Sequence, residues 1–141
     1  MVTFKNSAVK AMVVMRKAFR TVDARVSESY KPYALTPTQF AVLDVLYAKG
    51  PLKIGELIDS MLATSGNMTV VINNMVKKGW VKRDACPNDK RSFLVTLTAK
   101  GQAVIEQALP AHIAQVEEVF SVLTPAEQEQ LITLLKKFKK S

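Results

Sequence analysis

The chain has 141 residues, 48% of them hydrophobic and 23% charged, and its 20 Lys and Arg against 12 Asp and Glu leave a formal net charge of +8 at pH 7. That balance suits one domain with a core of its own and excludes a disordered basic tail or a coiled-coil rod. A single cysteine, Cys86, and a single histidine, His112, exclude an internal disulfide and the usual four-ligand structural zinc set.

Phe4, Ala8, Met12, Met15, Phe19, Val22 and Val26 recur at steps of three and four, which predicts a helix over about residues 3 to 27. Residues 1–17 carry Lys5, Lys10 and Arg16 with no uninterrupted apolar stretch and no small-residue cleavage site, so no leader is expected. Ser29-Tyr30-Lys31-Pro32-Tyr33 ends the helix, because proline disfavours helix at the residue before it and brings no N–H. Leu35-Thr36-Pro37-Thr38-Gln39 and Leu123-Thr124-Pro125-Ala126-Glu127 each set a Thr cap before a first-turn proline and a Gln or Glu at the third helical position. Leu97-Thr98-Ala99-Lys100 is a version without the acidic return. These starts predict helices at about 37–48, 98–121 and 125–139, with Pro110 kinking or breaking the long one.

The middle of the chain is patterned more densely. Ile54, Leu57, Ile58 and Met61 make a short amphipathic helix, Ala63-Thr64-Ser65-Gly66 interrupts it, and Met68, Val71, Ile72, Met75 and Val76 make a second that Gly79 closes. Two short helices across a tight polar break are the helix-turn-helix outline. Residues 80–85 and 93–97 then read as strands flanking Cys86-Pro87-Asn88-Asp89-Lys90-Arg91, a β-hairpin with a basic tip. The expected fold class is therefore mainly α with a small β-hairpin wing: a winged helix-turn-helix.

Charge follows the same division. Residues 1–31 and residues 49–101 each carry a net +5, whereas 32–48 and 102–141 each carry −1. A basic middle block points to an anionic partner, of which nucleic acid is the commonest. The apolar stripes of the terminal helices, including Val104, Ile105, Ala108, Ile113, Val116, Phe120, Leu131, Leu134, Leu135 and Phe138, exceed what a small winged domain covers and call for a partner subunit. No run of eighteen or so apolar residues exists to span a membrane, and the composition suits a reducing cytoplasm. No Gly-rich phosphate loop, nucleophile triad or metal-binding run is present, so neither an enzyme nor a cofactor is expected.

Leu35-Thr36-Pro37-Thr38-Gln39-Phe40-Ala41-Val42-Leu43, Gly50-Pro51-Leu52-Lys53-Ile54-Gly55-Glu56-Leu57, Thr64-Ser65-Gly66-Asn67-Met68-Thr69, Lys78-Gly79-Trp80-Val81-Lys82-Arg83, Asp89-Lys90-Arg91-Ser92 and Leu97-Thr98-Ala99-Lys100-Gly101 follow one another at the spacing of a known family. Together they resemble the MarR family of bacterial transcription regulators, over essentially the whole chain. Leu109-Pro110-Ala111-His112 followed by Leu123-Thr124-Pro125 resembles the branch of the MhqR-type regulators of quinone and catechol response. The resemblance implies a single domain over 1–141, with 1–34 and 102–141 as interlocking dimerisation helices and 35–101 as the winged DNA-binding region. It further implies a homodimer on double-stranded DNA at a palindromic operator, with DNA release by a small phenolic or quinone effector.

Candidate DNA-binding residues are Thr64, Ser65, Gly66, Asn67, Thr69, Asn73, Lys77, Arg83, Lys90 and Arg91. A helix fits the major groove, and Asn67 or Asn73 offers adenine a two-pronged hydrogen bond, while Thr64 and Ser65 suit phosphate or serve as plain helix caps. Arg91, at the expected hairpin tip, suits the negative potential of a narrow minor groove, the contact that the matching arginine makes in the family. Asp89 is expected to turn the wing and aim Arg91 or Arg83. Met12, Met15, Arg16, Phe19, Phe40 and Leu43 are candidates for an effector crevice, with core packing as the alternative. Cys86 is a candidate redox switch, with an inert small residue as the alternative.

Overall fold

The computed structural model describes residues 5–61 and 68–139, and the side chains among these except at 90 and 91. Thr64, Ser65, Gly66 and Asn67 lie outside the described residues. The chain divides into two compact units, one running to Ser29 and resuming at His112, the other comprising Tyr30–Ala111. Residues 30–34 and 102–111 thus pack within the middle unit. No helix among the described residues is long and apolar enough to cross a membrane.

In the terminal unit, helix α1 spans Ser7–Ser27. It starts later than the apolar spacing predicts, because the Asn6 side chain accepts the Val9 N–H at 3.1 Å and so caps the first turn. The unit also holds the second half of α5, Ala99–Phe120, and helix α6, Pro125–Lys136. Thr124 and Glu127 form the expected reciprocal cap, and the Gln128 amide donates to the carbonyls of Phe120 and Leu123, closing the corner between the two helices. Neither α1 nor α6 buries a residue. Of the twelve large hydrophobic side chains exposed among the described residues, ten belong to this unit, and the other two are Tyr47 and Val70.

The middle unit opens with a 3₁₀ helix, Glu28–Tyr33, that overlaps its start. The α-helix ends at Ser27, where the sequence predicts its stop, and the chain winds on only as this 3₁₀ helix, with Pro32 inside it. A 3₁₀ turn tolerates the residue, since its φ range includes the value that proline fixes. Tyr30 stacks on Phe40 with ring centroids 4.5 Å apart, and the chain leaves the turn through Ala34 at φ +56. Helix α2, Pro37–Lys49, then carries the Thr36 and Gln39 capping box and buries Phe40, Val42, Leu43 and Leu46.

Strand β1, Leu52–Lys53, leads into α3, Ile54–Ser60, and α4, Met68–Lys77, is followed by β2, Val81–Cys86, and β3, Asp89–Leu97. The sheet is antiparallel in the order β1-β3-β2. β1 escapes the sequence reading because two residues carry no periodicity. Leu57, Ile72, Met75, Val81, Val95 and Ile105 are fully buried at the centre, joining α3, α4, the sheet and α5 around α2. α5 runs unbroken through Pro110, correcting the expectation of a break. Proline removes one helical hydrogen bond there, and the Tyr33 hydroxyl supplies a new donor next to the gap, to the Gln107 carbonyl at 3.1 Å.

Candidate nucleic-acid interface

α4 is amphipathic in the strict sense: Met68, Ile72 and Met75 are buried, while Thr69, Val70, Asn74 and Lys77 are exposed along the opposite face. Gly79, at φ +78, ends the helix in the left-handed region, with its own N–H on Val76 and the Trp80 N–H on Met75. Directly beyond lies the hairpin. Thr98 joins the two elements: its hydroxyl donates to the Gly79 carbonyl and accepts from Gly101 N–H, and its backbone N–H bonds the Trp80 carbonyl at 3.1 Å. The hairpin is therefore fixed against the end of α4 by hydrogen bonds and by the buried side chains Trp80 and Val81.

The hairpin tip is shorter than its sequence suggests. Pro87 and Asn88 alone form the turn, and Cys86 pairs with Asp89. The next pair inward is Ala85 with Phe93, so Lys90, Arg91 and Ser92 are extra residues on β3, a bulge beside the turn. Arg91 thus belongs to the bulged end of a strand and not to the tip itself, because the pairing closes two residues beyond Cys86. Asp89 accepts from the Ser92 hydroxyl at 2.8 Å, an interaction that spans the bulge.

Basic groups surround this region. The Arg83 guanidinium lies over the Phe93 ring, 5.3 Å from its centroid, and the Lys78 ammonium lies 4.7 Å from the centre of the Trp80 ring. Lys82 approaches Asp84 at 3.8 Å with both side chains exposed, a contact of little energetic weight. Lys77 ends α4, where a cation also complements the helix dipole.

The structure separates the two asparagines of α4. Asn73 is partly covered, and its Oδ1 is buried with no hydrogen-bond partner among the described residues, whereas Asn74 is exposed. Val70 and Asn74 were missed by the sequence reading. Counting four residues from Val70 along the helix would have found the second, since the two share a face.

Elsewhere, Met15, Arg16 and Phe19 line one groove of 620 Å³ in the terminal unit together with Arg20, Asp23 and Leu135. Met12 is exposed on the same helix, while Phe40 and Leu43 are buried in the core of the middle unit. Cys86 is a buried free thiol. Among the described residues, no group of three or more His, Cys, Asp or Glu is placed to hold a metal ion.

Known proteins share this arrangement. Residues 35–93 match the model of the MarR family. The chain is 40% identical over 124 residues to the HTH-type transcriptional regulator YkoM of Bacillus subtilis, covering 88% of this chain and 80% of that protein. It is 32% identical over 132 residues to the HTH-type transcriptional regulator MhqR of the same organism, covering 94% and 91%. Its fold is similar to that of a mutant MarR from E. coli complexed with operator DNA, with a TM-score of 0.87 and 30% identity over 96% of this chain and 97% of the other.

Proposed function

The chain belongs to the MarR family and is a transcription regulator that acts on DNA, and we propose that it does so as a homodimeric, cytoplasmic repressor on a palindromic operator. The observation that carries this reading is the exposed face of α4 held beside a basic, bulged hairpin within one unit. α4 enters the major groove, where Thr69 and the residues preceding it (Thr64, Ser65, Gly66 and Asn67) meet phosphates and base edges. Lys77 and Arg83 add affinity along the backbone. Lys90 and Arg91 reach the adjacent minor groove from the bulge, and Asp89, through Ser92, keeps the bulge in one conformation. Two such units, joined through the helices of the terminal units, read half-sites about 34 Å apart. The ten exposed apolar side chains of the terminal unit support a partner subunit there.

Release follows from a small aromatic or phenolic effector whose bound form favours a separation of the two units unsuited to the operator. The groove beside Met15, Arg16 and Phe19 supports that reading, because it offers apolar walls for a ring and guanidinium groups for a phenolate or carboxylate. Phe40 and Leu43, buried as they are, would be reached only through a change in the core. The redox alternative through Cys86 has weaker support, since a buried thiol meets oxidants poorly.

The test is Arg91→Ala, titrated against operator across a salt series. Loss of about 1 to 3 kcal/mol of affinity, with a salt slope lower by about one, is expected. An unchanged affinity and slope would remove Arg91 from the interface. For release, salicylate, a simple phenol and a benzoquinone added to the complex should weaken operator binding, and indifference to all three would end the effector reading. Cys86→Ser should keep any such response, and its loss would favour the thiol instead.

A further inference from the structure

A lone exposed valine is ordinary on a protein surface. Val70 differs in its place: it is 53% exposed in the middle of the outward face of α4, between Thr69 and Asn74, where the remaining exposed side chains are polar or charged. Asn74 stands one turn further along the same face. Reading adenine with two prongs requires an asparagine oxygen that accepts from the base N6 amino group and an amide that donates to N7. Asn73 is partly covered, with one end of its amide buried, so it presents less than a whole amide to a base edge. Asn74, exposed, can offer both.

We infer that Val70 and Asn74 together set the base preference of α4, Val70 by apolar contact with the 5-methyl group of a thymine and Asn74 by paired hydrogen bonds to an adenine. The inference rests on the DNA-binding reading above. Four residues of helix rise about 6 Å, against about 3.4 Å per base step, which places the two bases one or two steps apart. Thymine is the only base to present a methyl group in the major groove, so an apolar side chain at position 70 discriminates against cytosine and against the purines without any hydrogen bond.

The full-length chain and its variants Val70→Ala, Asn74→Ala and Asn73→Ala are each used to select duplexes from a randomised pool. All three sites are helical, and alanine favours helix, so the variants retain the fold, as thermal melting verifies. In the duplex that wild type enriches, each thymine is then exchanged for uracil, which lacks only the methyl group, and each adenine for 7-deazaadenine, which lacks only N7. One uracil position per half-site should weaken wild type about three- to fivefold and leave Val70→Ala unmoved. One deazaadenine position should weaken wild type about tenfold and leave Asn74→Ala unmoved, while Asn73→Ala responds to both as wild type does. Uracil without effect on wild type, or an equal effect on Val70→Ala, overturns the role of Val70. The same pattern with deazaadenine overturns that of Asn74. Should wild type enrich no duplex at all, the DNA-binding reading itself falls, and this inference with it.

Discussion

Tyr47 and Glu106 show how a single contact sets a titration. The Tyr47 hydroxyl donates to the Glu106 carboxylate at 3.0 Å on the surface of the middle unit. Ionising the phenol destroys that hydrogen bond first and places a second negative charge beside the carboxylate, so the Tyr47 pKa is held above its ordinary 10.0, with partial burial adding in the same direction. A group whose pKa is higher in the folded state stabilises that state fully below its unfolded pKa, and the contribution disappears as pH rises through the folded value. The effect therefore belongs to the alkaline limb alone. Glu106→Gln should bring the titration of Tyr47 to lower pH, measured as tyrosinate absorbance against a Tyr47→Phe blank that removes the signals of Tyr30 and Tyr33. Identical titration curves in the two backgrounds would show that the Glu106 carboxylate does not govern the phenol.

The connection between α4, the hairpin and α5 depends on close backbone approach. A Cβ built on Gly101 would lie 2.0 Å from the Trp80 carbonyl oxygen, and both atoms belong to rigid segments, so the first turn of α5 would have to move. Gly101→Ala should cost about 3 kcal/mol in denaturant unfolding and loosen the hairpin, visible as faster amide exchange in β2. Thr98→Val, which removes a donor and an acceptor from the same joint, should cost about 1 to 3 kcal/mol. Ala34 works in the opposite sense. Its φ of +56 costs an L residue about 1 to 2 kcal/mol, which exceeds the about 0.5 to 1 kcal/mol of extra chain entropy that glycine loses on folding. Ala34→Gly should therefore stabilise the protein by up to about 1 kcal/mol, and a lowered denaturation midpoint would contradict this.

The same elements show which features a sequence carries. Capping boxes at Thr36 and Thr124 were readable because their partners lie three residues away, and the apolar spacing of α1, α3 and α4 because it repeats. β1 was not readable, since its two residues are strand only by pairing with Leu94 and Val95. Nor was the bulge at Lys90-Arg91-Ser92, which exists because Cys86 meets Asp89, a matter of register between strands. Pro32 marked the end of α1 at Ser27 as its missing N–H implies, whereas Pro110 suggested a break that does not occur, because one lost hydrogen bond is outweighed by those of the turns on either side of it in α5. On α4 the polar row was legible, but the burial of Asn73 Oδ1, which separates it from Asn74, depends on packing that composition does not encode.

At the scale of the whole molecule, the distribution of apolar surface and charge calls for two copies. Phe19 is 67% exposed, Leu135 44% and Phe138 75%, on helices α1 and α6 and just beyond, so the described residues of the terminal unit cover them only in part. Left in water, surface of this kind promotes association, and burying the exposed part of each large side chain stabilises a dimer by roughly 1 to 2 kcal/mol before the entropy of association is set against it. A dimer also answers an energetic demand of specificity. One winged unit has a single α4 and a single hairpin to offer, whereas two joined units add their contacts and reject sites with the wrong half-site spacing. A carboxylate placed in the apolar surface should break this coupling, because its desolvation opposes burial while the fold of each chain, which does not rely on that surface, persists. Phe19→Glu combined with Leu135→Glu should sediment near the 15.6 kDa of one chain where wild type sediments at twice that, with an unchanged helical circular dichroism signal. The same variant should lose the steep salt dependence and the half-site spacing preference of operator binding together, since both count contacts from two units. If it remained dimeric, the exposed faces of α1 and α6 would not be the interface. If it became monomeric yet kept full operator affinity and slope, one winged unit would suffice, and the palindromic reading would give way to a single-site one.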